Sequence, residues 1–207
     1  MPTKTFYRLR DEKQEAIMRS AIHEFTKSGF SRAKVEDIAK NAEVSKASLF
    51  QYFEDKKEMF VYSAKWGLDV LMKKIDKQVN IGDMDVFEYF ENSSSFSGIL
   101  TEESELVRFM GVVMNEPGLI EESERSMYEL GNVYIMQLIQ NGKKKGSIRT
   151  DIPDEFLLEF FTGVTDRFSK RIVRLYTDMS TGAVLHEDAL IKERGCMINL
   201  LRKGMGY

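Results

Sequence analysis

The sequence predicts an all-α protein, with a small helical head at the N-terminus and a larger helical-bundle body behind it. Apolar residues recur at helical spacing along nearly the whole chain, and strand-type alternation is almost absent. The 207 residues hold only three prolines, Pro2, Pro117 and Pro153, too far apart to interrupt long helices.

The first helix is predicted over residues 11–28, where Ala16, Ile17, Ala21, Ile22 and Phe25 make one apolar face and Gly29 follows as a left-handed C-cap. A short helix over 35–41 turns Val35, Ile38 and Ala39 inward. The chain then breaks at Ala42-Glu43-Val44, small Ala42 allowing a close turn and Val44 anchoring it. Ser45 is placed to cap a second short helix over 46–52. Asp55, with Glu58 three residues on, opens a long helix through Met59, Tyr62, Trp66, Leu68, Leu71 and Ile75. Further helices are predicted over 83–95, 101–115, 117–145, 153–178 and 184–203. Asp83 and Thr101 are the expected caps there, and Pro117 and Pro153 the expected helix starts. Lys143, Lys144 and Lys145 suit the negative end of their helix, and residues 146–151 form a turn between long helices.

Composition weighs against several classes. Thirty Lys and Arg against 33 Asp and Glu leave a net charge of −3, unlike the basic surplus of a simple polyanion binder. The longest apolar run, residues 109–114, is far short of a membrane span, and residues 1–4 lack a secretory apolar core, so a cytoplasmic protein is expected. A lone Cys196 makes no internal disulfide. His23 and His186 sit in no zinc or di-iron spacing, and no nucleophile-elbow or phosphate-loop pattern occurs. The chain is therefore read as no enzyme, with no catalytic residues, no metal and no cofactor.

Residues 29–60 carry the chemistry. Two short helices joined by a tight turn after a longer helix make a helix-turn-helix, its motif at about 34–53. In the second helix Leu49 and Phe53 point inward, leaving Lys46, Ala47, Ser48, Gln51 and Tyr52 outside. These types suit a major groove: Gln pairs with an adenine edge, Lys with guanine or phosphate, Ser with either, and Ala touches a thymine methyl. Tyr52 and Lys56 suit phosphate contacts, helped by the amides at the helix start near Lys56, and Ser45 is counted with them as a DNA-binding candidate.

At these residues the chain resembles the TetR-type transcriptional regulators. The likeness runs through Ile17, Ala21, Phe25 and Gly29-Phe30, the stretch 35–39, the stretch 44–53 and the stretch 56–60. It implies a homodimer whose recognition helix, here 46–52, enters the major groove, and a body in which a small molecule alters head spacing to release a palindromic operator. It also implies a domain division of 1–57 for DNA binding and 58–207 for ligand binding and dimerisation. The family often has Thr or Ser where this chain has Ala33 and Lys34. Ser31 is the expected substitute cap, and Lys34 replaces a hydroxyl–phosphate contact with a charged one. Ala47 stands where Gly is common and Ser48 where Thr is common.

The body is rich in bulky, soft side chains. Trp66, Phe87, Phe90, Phe109, Met110, Met114 and Tyr128 are the candidate ligand-binding residues, on the resemblance and on the general apolar character of small-molecule pockets. Apolar stripes on the last two helices give Phe160, Phe161, Val164, Phe168, Ile198 and Leu201 as candidate dimerisation residues, serving intrachain core and symmetry contact together. Two functions follow from the sequence. One is a ligand-released, DNA-binding repressor. The other is a helical ligand-binding or protein-adaptor module that no longer reads DNA specifically. The charge divides unevenly: residues 1–60 hold 12 Lys and Arg against 10 Asp and Glu, residues 61–207 hold 18 against 23. Any DNA contact must rest on placement of cations, not on their excess.

Overall fold

The computed structural model describes residues 1–92, 97–116, 118–177 and 187–206, in which the regular structure is helical apart from one isolated bridge. In chain order the helices are α1 (Lys4–Tyr7), α2 (Asp11–Arg32), α3 (Val35–Asn41), α4 (Lys46–Tyr52), α5 (Lys56–Val79), α6 (Val86–Glu91), α7 (Ser97–Glu102), α8 (Ser104–Met114), α9 (Ile120–Lys145), α10 (Asp154–Thr177) and α11 (Glu187–Met205). A short 3-10 turn, Ile81–Asp83, precedes α6. Among the described residues the one extended pairing is an isolated bridge between Ile148 and Gly206. None of the described helices is long and apolar enough to cross a membrane.

Packing divides the chain into two units, Met1–Lys73 with Ile99–Leu130, and Lys74–Gly98 with Gly131–Tyr207. The first is built on α2. Its apolar face, Ile17, Met18, Ala21, Ile22 and Phe25, is fully buried. Phe25, Phe60 and Phe109 meet edge-on or stacked with centroids 5.0–6.2 Å apart, and Phe30 packs on Phe25 and Phe60. Polar links add direction to this contact. Arg19 forks onto Glu103 at 2.9 and 3.1 Å, His23 meets Glu105 at 2.8 Å, and the Phe30 amide donates to Glu116 at 2.9 Å. Gly67 lets α8 come close, for a Cβ there would lie 2.8 Å from Met110 Cε.

The second unit is organised by Asp85. One carboxylate oxygen accepts from the amides of Phe87 and Glu88, and the other accepts from Ser147 Oγ at 2.6 Å. Asn141 donates to the carbonyls of Gly82 and Met84. Ile148 is buried against Gly142, where an added Cβ would fall 2.5 Å from Ile148 Cδ1. Phe90 packs edge-on against Phe161 at 5.4 Å.

Several local expectations are corrected. The cap of α6 is Asp85, in a full capping box with Glu88, and Asp83 lies in the preceding 3-10 turn. Thr101 lies inside α7, and the residue before the first turn of α8 is Glu103. Gly29 has the predicted positive φ (70°), yet a further helical turn continues to Arg32 beyond it. The residue capping α3 is Lys34, with no side-chain cap bond, so Ser31 does not fill that role. Lys143, Lys144 and Lys145 do fall in the last turn of α9, as expected, and Lys143 and Lys145 pair there with Asp154 and Glu88, both at 2.5 Å. Pro117 and His186 lie outside the described residues. Helix α1 was not expected from the sequence at all.

Candidate nucleic-acid interface

The turn between α3 and α4 closes by hydrogen bonding at the end of α3. Val44 N donates to Ala39 O at 2.9 Å and Glu43 N to Lys40 O at 3.2 Å, the paired bonds of a Schellman motif. Such a motif needs a left-handed residue, and Glu43 takes it with φ 53°. Lys13 reaches over from α2 to donate to the carbonyls of Ala42 and Glu43. Ser45 then caps α4, its Oγ accepting from Ser48 N at 3.0 Å and lying 2.7 Å from Ser48 Oγ.

The faces of α4 divide as its sequence predicts. Leu49 and Phe53 have no solvent exposure. Lys46, Ala47 and Gln51 are exposed, and Ser48 and Tyr52 are partly so. Phe50 is the residue that the reading of Lys46–Tyr52 left out: it is 45% exposed on the same outer surface, with Lys46 Nζ 5.8 Å from its ring centre. Its type gave no polar signal, and only its place in a seven-residue helix with two buried neighbours reveals it.

The far end of α4 is held by the N-terminal segment. Thr3 N donates to Tyr52 O at 2.9 Å and Thr3 Oγ1 to Gln51 O at 2.7 Å, two carbonyls that a helix C-terminus leaves without intrahelical partners. Phe6, fully buried, sits among Tyr7, Tyr52, Phe53 and Tyr62. Burial, with a hydrogen bond to Tyr7, pushes the Tyr62 phenol well above its ordinary range and keeps it neutral. Helix α4 is thus capped at one end and clamped at the other.

The cations differ in their freedom. Lys34 is exposed at the start of α3, its amide donating to buried Glu24. Lys46 pairs with Glu36 at 2.6 Å, a bond that holds the Glu36 carboxyl below its usual range. Lys56, expected to face phosphate, instead donates to the carbonyls of Ser31 (3.3 Å) and Ala33 (3.1 Å), its ammonium 4.7 Å from the Phe30 ring centre. It acts there as a cap for the end of α2, where cations are favoured.

This architecture has known counterparts. The model for bacterial regulatory proteins of the tetR family matches residues 17–62. Over this stretch the chain is similar to the tetR family. The match is centred on the two short helices described above, and the family is one of transcriptional regulators, not enzymes. Over 58 residues the chain is 34% identical to the Staphylococcus aureus biofilm operon negative transcriptional regulator IcaR, covering 28% of this chain and 31% of that one. The chain thus spans about a third of the length of the curated relatives it matches. The whole TetR-type fold extends further. A Mesorhizobium loti protein assigned to the family superposes with a TM-score of 0.66 at 18% identity, over 95% of this chain and 98% of that one. The Bacillus subtilis regulator FadR, solved in complex with stearoyl-CoA, does so with a TM-score of 0.62 at 15% identity, over 92% and 98%.

The candidate ligand residues fall in different places in this TetR-type fold. Phe109 is consumed in the aromatic core with Phe25 and Phe60. Met110 packs on Gly67, and Trp66 lies half-buried with the Arg19 guanidinium 5.7 Å from its ring centre. In the second unit Phe87 is buried beneath Arg202 at 4.6 Å, and Phe90 lies against Phe161. The side chains of Met114 and Tyr128 lie outside the described residues. Of the candidate dimerisation residues, Phe161, Ile198 and Leu201 are buried within the chain, Val164 and Phe168 are half-buried, and Phe160 is exposed. Phe156 and Leu200, outside that candidate set, are more exposed still, at 59% and 73%. An open groove of about 1030 Å³ runs between α10 and α11, lined by Phe160, Val164, Phe168, Met197 and Leu200 among others.

Proposed function

We propose that the chain is a cytoplasmic, homodimeric DNA-binding regulator, a repressor released from a palindromic operator by a small lipophilic ligand. Residues 1–57 read DNA and residues 58–207 bind the ligand and dimerise. The observation that carries this reading is α4: capped by Ser45, clamped by Thr3 and Phe6, and presenting Lys46, Ala47, Ser48, Gln51 and Tyr52 outward. A rigid, outward-facing helix of these residue types is what major-groove readout requires. Lys34 and Ser45 lie beside it for backbone contacts. Lys56 serves indirectly, by holding the end of α2 on which α3 is set.

Dimerisation through α10 and α11 is supported by the exposed Phe156, Phe160 and Leu200 beside the open groove. Isologous pairing would remove this apolar surface from water. A lipophilic effector agrees with the aromatic and Met content of the body and with the stearoyl-CoA complex of FadR. Mass spectrometry of small molecules carried through purification would identify it.

The test is selection from a random duplex pool with the full chain. We expect an enriched palindrome with half-site centres about 34–36 Å apart, or a multiple of that. Gln51→Ala should flatten the preference at one base pair of each half-site, a loss of about 1–3 kcal/mol of discrimination there. Failure to enrich any sequence at moderate salt refutes the proposal.

A further inference from the structure

The pair formed by Glu36 and Lys46 has no evident role in holding the head together. Both side chains are about half or more exposed, at 61% and 50%. Exposed ion pairs of this kind contribute little to stability, because water screens them and two long side chains must be ordered. Its location is what distinguishes it. Lys46 opens the recognition helix and lies over the exposed Phe50 ring, one turn further on along the same outer face. Glu36 stands in the first turn of α3. Its carboxylate is kept ionised by Lys46 first, and by its own backbone and Lys34 in addition. The head has little cationic surplus to lose: residues 1–60 hold 12 Lys and Arg against 10 Asp and Glu, and Lys13 and Lys56 are bound to carbonyls.

We infer that Glu36 is a specificity-determining residue that masks Lys46, suppressing binding to sequence-neutral phosphate and releasing the ammonium only when the rest of the helix is seated on its target. The inference rests on the proposed DNA reading of α4. Any duplex can offer Lys46 a phosphate, but with Glu36 in place that contact trades one anion for another and leaves the carboxylate beside the DNA backbone. On a matching site the contacts of Gln51, Ala47 and Phe50 accompany the exchange and offset its cost; on a random site they do not. Glu36 therefore lowers non-specific affinity more than specific affinity, a use of repulsion to widen a difference between partners. Phe50 complements it, since a ring without a polar handle gains from a thymine methyl and nothing from phosphate.

The experiment compares wild type, Glu36→Gln, Lys46→Gln and the double variant as full chains. The probes are a mixed-sequence 30-base-pair duplex and the best duplex selected by the wild type, read by fluorescence anisotropy from 50 to 200 mM KCl. Unmasking one cation adds one released counterion, so for Glu36→Gln the slope of log K against log salt on the mixed duplex steepens by about 0.9. The affinity gain of that variant then shrinks about 3.5-fold between 50 and 200 mM salt. The ratio of selected to mixed affinity falls, and the double variant shows no change relative to Lys46→Gln. A purely structural role for Glu36 would move the melting temperature and leave the salt slope alone. If the wild type selects a duplex but Glu36→Gln leaves slope and specificity ratio unchanged, or changes them equally without Lys46, the masking role is overturned while DNA reading stands. If the wild type selects no duplex, both fall.

Discussion

Replacing Phe6 by Ala tests whether the N-terminal segment belongs to the core of the head. The ring has no solvent exposure and touches four aromatic neighbours, with centroids at 5.7 Å to Tyr7, 6.1 Å to Tyr52, 5.1 Å to Phe53 and 5.7 Å to Tyr62. Truncating a buried Phe to Ala costs about 3–5 kcal/mol, from lost transfer energy and from the cavity left behind. At about 2–4 °C per kcal/mol for a chain of this length, a loss of about 4 kcal/mol lowers the melting temperature by about 8–16 °C. Trp66, the single tryptophan, lies in the same packing unit as Phe6, so its fluorescence follows the relevant transition. Thr3→Val is the milder companion. It removes the Thr3 Oγ1–Gln51 O bond and leaves the Thr3 amide bond to Tyr52, a loss of about 1 kcal/mol. Both variants should weaken duplex binding by loosening the end of α4. A Phe6→Ala melt within 2 °C of wild type, on the scale set by these per-kcal shifts, would refute the reasoning.

Other perturbations follow from the same geometry. Glu43→Gly should stabilise the head by about 1 kcal/mol, since Glu43 holds φ 53° where glycine has no Cβ penalty, and a thermal melt would show it as a rise of about 2–4 °C. Gly142→Ala should destabilise the second unit by about 1–3 kcal/mol, because the new Cβ meets Ile148 Cδ1 at 2.5 Å and Asp85 Cβ at 3.2 Å; calorimetry on the full chain would measure it. Burial pushes the Tyr89 phenol up to about 12, so its neutral form is favoured in the fold. No penalty arises below the ordinary value near 10, and stability is lost as pH rises from about 10 to about 12, a loss that Tyr89→Phe should remove from the alkaline denaturation curve.

The helices themselves were legible in the residues. Period and caps placed α2, α3, α4 and the start of α5 closely, because each buries one face and carries local signals that act within a turn: Ser45 on Ser48 N, Asp55 on Glu58 N. The division of α4 into a buried and an outward face followed from the same period. Local signals failed where two acceptors competed, as at Asp83 and Asp85. There the difference is made by Ser147, 62 positions away, which donates to the Asp85 carboxylate.

Periodicity and side-chain chemistry were enough for a helical fold with a helix-turn-helix near its start, since both depend on neighbours one to four residues apart. Partners brought together by folding could not be read that way. Lys56 looks like a phosphate contact in sequence and becomes a cap because α2 ends beside it. Four residues too short to signal a stable helix become α1 because Phe6 finds a cage made by α4 and α5. Lys46 looks like an unencumbered cation, and its charge is neutralised by a Glu36 that only the helix-turn-helix crossing brings to 2.6 Å. Charge and exposure at this interface are properties of contacts distant in sequence, and the tertiary arrangement of α2, α3 and α4 sets them.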